Sequence, residues 1–593
     1  MDWLQELQES AIWLLKSLAL SGIFFVIGLY ILAKTTRWGR QFWLLAQDYI
    51  SPKQNLKPLI FFLIILFFNL FEVRLSVLFS NWHNTMYNAL QEMNEAMFWQ
   101  QMLVFSVLAT IYIANVLFTY YLEKRFTINW WVWLNNRMLD NWVDKQAYYK
   151  THFLKEGIDN PDQRIQQDIN SFVTSSLSFA TGVVSSVTSI VAFTIILWDL
   201  SGPMPIAGVE VPHMMVFLVF GYVLITSVFA FKIGRPLRLL NFANERLNAN
   251  YRYALIRLSE YAESIAFYRG EKTEKGVLRK QFDAVIGNFW AIVFRTLKLS
   301  GFNVSVSQAA VVFPLIIQAT RFFAQQIKLG DLMQTAQSFN RVQSSLSFFR
   351  NSYDDFTAYR AVLDRLTGFH SAIEQANAPL NTQIAQDNNT MVVFDNVSVS
   401  TPEGRALVSN VSLRLQAGDS LLIKGASGLG KTTLLRTAAG LWNYAEGNIS
   451  YPVNNLFLSQ RPYLPQGNLL DALYYPAPAP EQADLAQIAD ILRSVQLGHL
   501  VDKLQENGAW NKTLSLGEQQ RLAFARVLLH KPDAVFLDEA SASLDEGLED
   551  NMYRLLREKL PQLIIVSVGH RSSLNAFHNQ CLQLNADQSW QLN

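Results

Sequence analysis

Eight residues, Gly425-Ala426-Ser427-Gly428-Leu429-Gly430-Lys431-Thr432, stand between an apolar run at 421–423 and a helix-compatible stretch at 434–439. The spacing G-x-x-x-x-G-K-T describes a loop whose glycines let successive backbone N–H groups turn inward on a nucleotide's phosphates, aided by the positive end of the following helix. Lys431 is placed to reach the β- and γ-phosphates, the Thr432 hydroxyl to reach Mg²⁺, and Thr433 closes the loop. A second group lies about a hundred residues on, where the apolar run 534–537 ends in Asp538 and Glu539. Two adjacent carboxylates at the end of a buried strand are costly without a cation or hydrogen-bond partners. Asp538 can hold Mg²⁺ through water, and Glu539 can polarise a water that attacks a γ-phosphate.

Three further polar landmarks share this pattern. Gln460 ends the short apolar stretch 456–458 and offers an amide oxygen to Mg²⁺ or to the attacking water. Ser515 and Gly517 open the helical run 516–526, where a helix N-terminus attracts anions. His570 follows the apolar strand 564–568, and its value lies in the company it keeps.

Loops of this kind need parallel strands and helices behind them, and those occupy only the last third of the chain. The 593 residues have room for roughly three to four domain-sized units. Only 16% of residues are charged and 13% are aromatic, against about 25% charged for an average soluble protein. That imbalance predicts a membrane portion fused to a soluble one. A net charge of +1 argues against nucleic acid as a partner. The single cysteine, Cys581, excludes an intrachain disulfide and an all-cysteine metal cage, and is expected to pack as a small hydrophobe.

Apolar stretches at 18–33 (with 12–17 added), 59–79, 101–122, 171–198, 212–233 and 303–322 are long enough to cross a bilayer. The first is preceded by Asp2, Glu6 and Glu9 and is read as a retained helix, since a cleaved signal would carry a basic leader. A further candidate, 331–351, contains Gln334, Gln337, Asn340, Arg341 and Gln343. Too polar to face lipid, it is expected to cross beside an aqueous pathway. The segments 80–98 and 199–210 contain no Lys or Arg, whereas 34–57 carries Lys34, Arg37, Arg40, Lys53 and Lys57, and 123–169 and 232–298 are rich in both. The positive-inside rule then places the N-terminus outside and everything beyond 351 in the cytoplasm. The two long charged segments are expected to be helical extensions of the membrane helices. Glu72 and Arg74 are candidates for an ion pair across a cavity, or for interfacial anchors, and Arg321 is placed in the same way.

In order and spacing these landmarks resemble the nucleotide-binding domain of the ATP-binding cassette (ABC) superfamily over 391–593. The loop 425–432 resembles its Walker A, Gln460 its Q-loop, 514–518 its signature, 535–538 with Glu539 its Walker B and catalytic glutamate, 542–545 its D-loop, and His570 its switch histidine. One membrane region followed by one cassette is, in that family, a half-transporter. The resemblance therefore implies a homodimer whose two ATP sites each combine Lys431, Thr432, Gln460, Asp538, Glu539 and His570 of one chain with Ser515 and Gly517 of a second copy. Two departures are visible. Leu516 and Glu518 stand where the signature usually has glycine and, in many members, glutamine, implying a retuned ATPase. Thr401 stands where an aromatic residue usually stacks on adenine, which leaves Arg405 as a candidate cover and implies weaker base selectivity. Thr401-Pro-Glu-Gly, Gly440-Leu-Trp442, Gln460-Arg-Pro-Tyr463, Asn160-Pro-Asp-Gln163 and Ile265-Ala-Phe-Tyr268 look like subfamily D and its bacterial relatives of the SbmA/BacA and YddA-like types. By that likeness Glu260 and Glu263 become candidates for passing motion between the two halves.

The expected architecture is an α-helical polytopic membrane domain, exporter-like, with six core spanning helices plus one N-terminal helix, fused to an α/β P-loop cassette. Its expected divisions are an N-terminal helix and connector (1–55), a membrane domain (56–370), a linker (371–390) and a cassette (391–593). The expected activity is ATP hydrolysis, with ATP and Mg²⁺, coupled to movement of a lipophilic or amphipathic compound such as an acyl lipid, a peptide or a cobalamin-like molecule. The expected location is a bacterial inner membrane with the cassette in the cytoplasm. A nucleotide-gated receptor or channel with slow hydrolysis is the alternative, which an intact Glu539 and His570 disfavour.

Overall fold

The computed structural model describes all residues except 1–2, 52–54, 155–159, 207–208, 380 and 388–389, so Asp2, Lys53 and three positions of the expected linker lie outside it. The chain divides into two compact units, Met1–Arg137 with Asp162–Thr367, and Met138–Pro161 with Gly368–Asn593.

The first unit is helical. Helix α1 (Trp3–Thr35) turns at Thr36, whose side chain caps the amphipathic α2 (Arg37–Ile50) by accepting from the Gly39 N–H. The elbow is tight: a Cβ on Gly39 would meet the Leu32 carbonyl. Long helices follow: α3 (Lys57–Gln91), α4 (Glu95–Val143), α5 (Ile169–Leu200), α6 (Met214–Glu260), the short α7 (Ala262–Tyr268), α8 (Glu271–Phe323), α9 (Leu329–Asn351) and α10 (Tyr353–Ala376). Among the described residues six helical spans are long and apolar enough to cross a membrane, the six that hydropathy picks out. α4, α6 and α8 run to 49, 47 and 53 residues, longer than a bilayer requires, so the charged segments continue the helices, though in the segment 123–169 α4 itself ends at Val143.

Helix α9 is not apolar enough to join those six, yet it packs against α3, α5, α6 and α8. Its Gln334, Thr335, Ser338, Gln343 and Ser347 are buried among these neighbours. Asn84 Nδ2 donates to Asp331 Oδ1 and Gln334 Oε1 (both 2.9 Å), Gln334 Nε2 donates to Asn81 Oδ1 (2.9 Å), and the Gly330 N–H donates to Asn88 Oδ1 (2.8 Å). A polar helix is tolerated here because protein, rather than lipid, satisfies it. Glu72 and Arg74 do not pair with each other. Arg74 donates to Glu6 (2.7 Å) and Ser10 (3.0 Å) of α1, while Glu72 accepts from the Tyr112 hydroxyl (3.4 Å). One helical turn cannot aim two side chains only two residues apart at each other, and the N-terminal helix supplies the nearer carboxylate.

The second unit is α/β. Apart from a two-residue pairing of 467–468 with 507–508, its strands are β1 (Thr382–Asp387), β2 (Val392–Ser400), β3 (Ala406–Leu415), β4 (Ser420–Lys424), β5 (Ala445–Pro452), β6 (Asn455–Leu458), β7 (Ala534–Asp538), β8 (Ile564–Val568), β9 (Gln580–Leu584) and β10 (Trp590–Leu592). Six form a sheet in the order β10-β9-β4-β8-β7-β6, parallel except for β10; the others form a sheet β1-β5-β2-β3. Period-two alternation feeds two cores. Leu422, Val535, Leu537 and Ile565 enter one, and Leu421, Ile423, Phe536, Ile564 and Val566 enter the other. β4, β7 and β8 are buried along almost their whole length, as parallel strands covered on both faces must be.

The stretch expected as a linker, 371–390, is largely ordered: α10 runs to Ala376, and β1 pairs in parallel with β5 from Thr382 to Asp387. β1 is an edge strand with only Thr382 buried, so backbone hydrogen bonds hold it and its polar sequence conceals it. Cys581 is half-buried on β9.

Candidate functional site

The phosphate loop leaves β4 and enters α11 (Lys431–Ala438). Gly425, Gly428 and Gly430 have φ of 147°, 85° and 93°, a region that side-chain-bearing residues rarely adopt. Gly430 has a second constraint, since a Cβ there would press on the Leu407 side chain at 3.0 Å. Lys431 Nζ donates to the carbonyls of Gly425 and Ala426, both at 2.9 Å, and so arches over the loop it is expected to serve.

β7 lies beside β8 in the same sheet as β4, and this order brings the landmarks together. Thr432 Oγ1 donates to Asp538 Oδ1 at 2.8 Å. Burial pushes the Asp538 carboxyl above its ordinary range, with the Thr432 hydrogen bond acting against that push. Glu539 has φ of 50°, a strained value for glutamate, and its N–H donates to the Val568 carbonyl (3.1 Å). Its carboxylate accepts from Gln460 Nε2 at 3.2 Å and lies 3.8 Å from His570 Nδ1. Thus Gln460, Glu539 and His570 form one group, and Lys431, Thr432 and Asp538 its neighbour. Ala426, Ser427 and Leu429 lie in the loop itself, and Thr433 in the first turn of α11.

Ser515 and Gly517 are turned to other partners. Ser515 is the N-cap of α12 (Leu516–His530), in a capping box with Glu518. Its hydroxyl donates to Glu518 Oε2 (2.8 Å), which holds that carboxyl below its ordinary range, and His499 Nε2 stands 3.2 Å from Glu518 Oε1. Glu518 therefore serves the local fold as the second half of a cap. Gly517 lies against the Ser543 carbonyl, 3.3 Å from where its Cβ would stand. Leu516 begins the helix beside them. Thr401 closes a turn with Arg405, accepting from the Arg405 N–H at 3.3 Å, and Arg405 is exposed.

Several supporting residues escaped the sequence reading. Gln520, fully buried, donates to the Gln460 carbonyl (2.9 Å) and accepts from the Ser543 N–H (2.9 Å), tying two landmark loops together. Arg571 donates to the Leu544 (2.7 Å) and Ala542 (2.9 Å) carbonyls. The helix α13 (Glu546–Lys559) contributes Glu549, whose buried carboxylate accepts from Ser541 and Ser573, both at 2.6 Å. Only the adjacency of these residues to motifs could have drawn attention to them.

The segment 138–161 belongs to this second unit, and Phe153 is its anchor. Its ring meets Trp442 edge-on at 4.9 Å, Arg436 of α11 lies over it at 5.8 Å, and its carbonyl accepts from the Tyr444 hydroxyl (3.0 Å). The segment joining α4 to α5 thereby touches the helix that begins with Lys431 and Thr432. Glu260 and Glu263, at the end of α6 and on α7, are exposed, as are Phe267 (80%) and Tyr268 (87%) beside them.

Comparison with known proteins agrees with both halves. Residues 45–323 match the family described as ABC transporter transmembrane region 2, and residues 408–542 match the family described as ABC transporter. An ABC transporter ATP-binding protein of Haemophilus influenzae is 56% identical over the whole of both chains. The inner membrane ABC transporter ATP-binding protein YddA of Escherichia coli is 33% identical, over 88% of this chain and 92% of its own. ABC transporter D family member 2, chloroplastic, of Arabidopsis thaliana is 28% identical, over 84% of this chain and 79% of its own.

Proposed function

This chain belongs to the ABC transporter family as a half-transporter of the subfamily-D and YddA-like type, and from that premise we propose that two copies assemble into a homodimeric pump for a lipophilic or amphipathic compound. Its cassette is an ATPase coupled to transport; its helices suit a membrane, and its likeness to the inner membrane protein YddA supports that membrane with the cassette on the cytoplasmic side. The observation that carries the dimer is the incompleteness of the site. Lys431, Thr432, Gln460, Asp538, Glu539 and His570 converge, while Ser515 and Gly517 engage Glu518 and Ser543 instead.

Mg²⁺ fits the donors present. Thr432, Asp538 and Gln460 offer hydroxyl, carboxylate and amide oxygens, the set a hard cation prefers. Among the described residues no group of three His, Cys, Asp or Glu side chains could hold a metal alone, and water and nucleotide oxygens would complete the shell. When bound, Mg²⁺ neutralises charge on the phosphates. Lys431 leaves the loop carbonyls to meet the β- and γ-phosphates, which the inward N–H groups of 425–433 surround. Glu539 accepts a proton from the attacking water, with Gln460 and His570 fixing the carboxylate and the water's position. Ser515 of the second copy exchanges Glu518 for the γ-phosphate. Closure of the cassettes then reaches the membrane helices through Phe153, and through the exposed aromatics of α7 if these dock on the second copy.

Disulfide trapping tests the dimer. On a Cys581→Ser background, Ser427→Cys and Gly517→Cys are placed on separately tagged chains, each also bearing Glu539→Gln. ATP with Mg²⁺ should produce a cross-linked band carrying both tags. Full ATPase activity from a chain shown to be monomeric would sink the reading.

A further inference from the structure

Within the first unit a cavity of about 410 Å³ opens between α3, α4, α5 and α9. Its wall is aromatic, with Phe79, Phe105, Tyr112 and Phe193, but it also holds the guanidinium of Arg341 and the amide of Gln337. Arg341 stands at the middle of α9, twelve residues from Leu329, facing helices that hydropathy places across the membrane. It donates to Ser76 Oγ (3.1 Å) and lies over the Phe193 ring at 5.9 Å. Among the described residues no carboxylate pairs with it. The contrast with Arg74 is sharp, because Arg74 is neutralised by Glu6 at 2.7 Å. Glu72, on the same helix as Ser76, is engaged by the Tyr112 hydroxyl.

Arg341 is exposed to the cavity, with Glu72 reaching no nearer than the Tyr112 hydroxyl, and an arginine among spanning helices faces a substrate or ion pathway. Gln337 and Ser76 alone would suffice to wet a passage; an arginine adds a preference for negative charge. His83 at the same wall donates from Nδ1 to the Phe79 carbonyl (2.8 Å), so it is committed to its own helix and Arg341 is the group that selects an anion. The four aromatic rings give an apolar body a surface, and 410 Å³ lies within the range of about 300–1,000 Å³ typical of ligand sites. By contrast, the larger cavity of about 620 Å³ between α1, α5, α9 and α10 has no charged residue in its wall.

We propose that this cavity is a substrate subsite that takes the anionic group of an amphipathic compound on Arg341 and its apolar body on the aromatic wall. The proposal rests on the transport reading for the word substrate, whereas the preference for an anion stands on the cavity itself. A carboxylate and a phosphate share the required chemistry, and Arg341 can receive either in a forked, charge-assisted contact.

Binding in nanodiscs without nucleotide tests it, using the full chain and three dansyl-labelled medium-chain probes: a fatty acid, its methyl ester and the corresponding amine. The acid should bind roughly tenfold more tightly than the ester. Arg341→Gln should bring the acid to the ester's affinity and leave the ester unchanged, which also reports an intact fold. Arg341→Glu should reverse the order in favour of the amine. Equal affinities for acid and ester in the unaltered protein, or an acid preference that survives Arg341→Gln, would overturn the proposal. Where Arg341→Gln loses the ester as well, Arg341→Lys decides: acid preference retained supports the site, and ester binding without acid preference overturns it. A fatty-acid probe of the same kind bearing a phosphonate in place of the carboxylate separates the two anion classes. Probe binding that passes in nanodiscs while ATP-driven movement of that probe into sealed liposomes fails would remove the transport reading and leave the anion site standing.

Discussion

Replacing Glu549 with alanine removes the carboxylate that joins the segment after Glu539 to the segment after His570. Glu549 is fully buried and accepts two hydroxyl hydrogen bonds, from Ser541 and Ser573, at 2.6 Å each, with Arg571 at 3.7 Å. Hydrogen bonds to a charged group contribute roughly 1.5–3 kcal/mol each, and breaking a buried charged pair costs about 3–5 kcal/mol. These figures overlap, because they count the same contacts, so the expected loss is about 3–5 kcal/mol. For a unit of this size each kcal/mol moves the melting temperature by about 2–4 °C, so the cassette transition should fall by roughly 6–20 °C. Glu549→Gln keeps the shape but loses the charge and one of the two acceptor oxygens, so it should cost about 1–3 kcal/mol. The assay is calorimetry of the purified full chain at one scan rate, with ATPase measured in parallel. Both variants should lose turnover in proportion to their melting shift, because the same contacts hold the Ser541 and Ser573 segments. A Glu549→Ala protein melting within about 2 °C of the unaltered chain, with full ATPase, would refute the reasoning.

Three other outcomes follow from the cassette. Asp538→Asn removes a carboxylate that burial disfavours in its charged form, so its nucleotide-free melting temperature at neutral pH should equal or exceed that of the unaltered chain, while Mg²⁺-dependent ATPase falls by about a hundredfold or more; a lower melting temperature would show that the charge stabilises the fold. His578 is pushed down from 6.5 to about 4 by burial, with its ring nitrogens on the Leu574 carbonyl and the Ser567 hydroxyl. The neutral ring therefore contributes stability that is full above pH 6.5 and is lost as pH falls towards 4, since the unfolded chain binds the proton first; up to roughly 3 kcal/mol is at stake, and His578→Gln should flatten the melting curve across that window. Phe153→Ala should leave ATP binding intact and abolish stimulation of ATPase by a transported compound, whereas Phe153→Tyr keeps the edge-on contact with Trp442, itself contributing about 0.5–1.5 kcal/mol; stimulated-to-basal ratios distinguish the two.

Much of this molecule is written locally. The G-x-x-x-x-G-K-T loop is legible because its glycines must take positive φ and its lysine must follow them, a requirement that involves only neighbours in the chain. The membrane helices are legible because a bilayer demands about twenty apolar residues in a row, and the cassette's parallel strands because burial on both faces leaves them mostly apolar. Even α9 was recoverable, since a helix too polar for lipid must be shielded by other helices.

What tertiary structure alone decided are the partners. Nothing in the order of residues says that Arg74 meets Glu6 and not Glu72, that the polar segment 382–387 is a strand, or that Gln520 bridges the loops of Gln460 and Ser543. Phe153 and Tyr444 touch across 291 residues of chain, and among the described residues Arg341 pairs with no carboxylate because of where four helices converge. Helix period, loop conformation and burial are set by forces acting over a few residues, so sequence expresses them directly. A contact between distant segments depends on register and packing accumulated along every intervening element, and only the folded chain settles that sum.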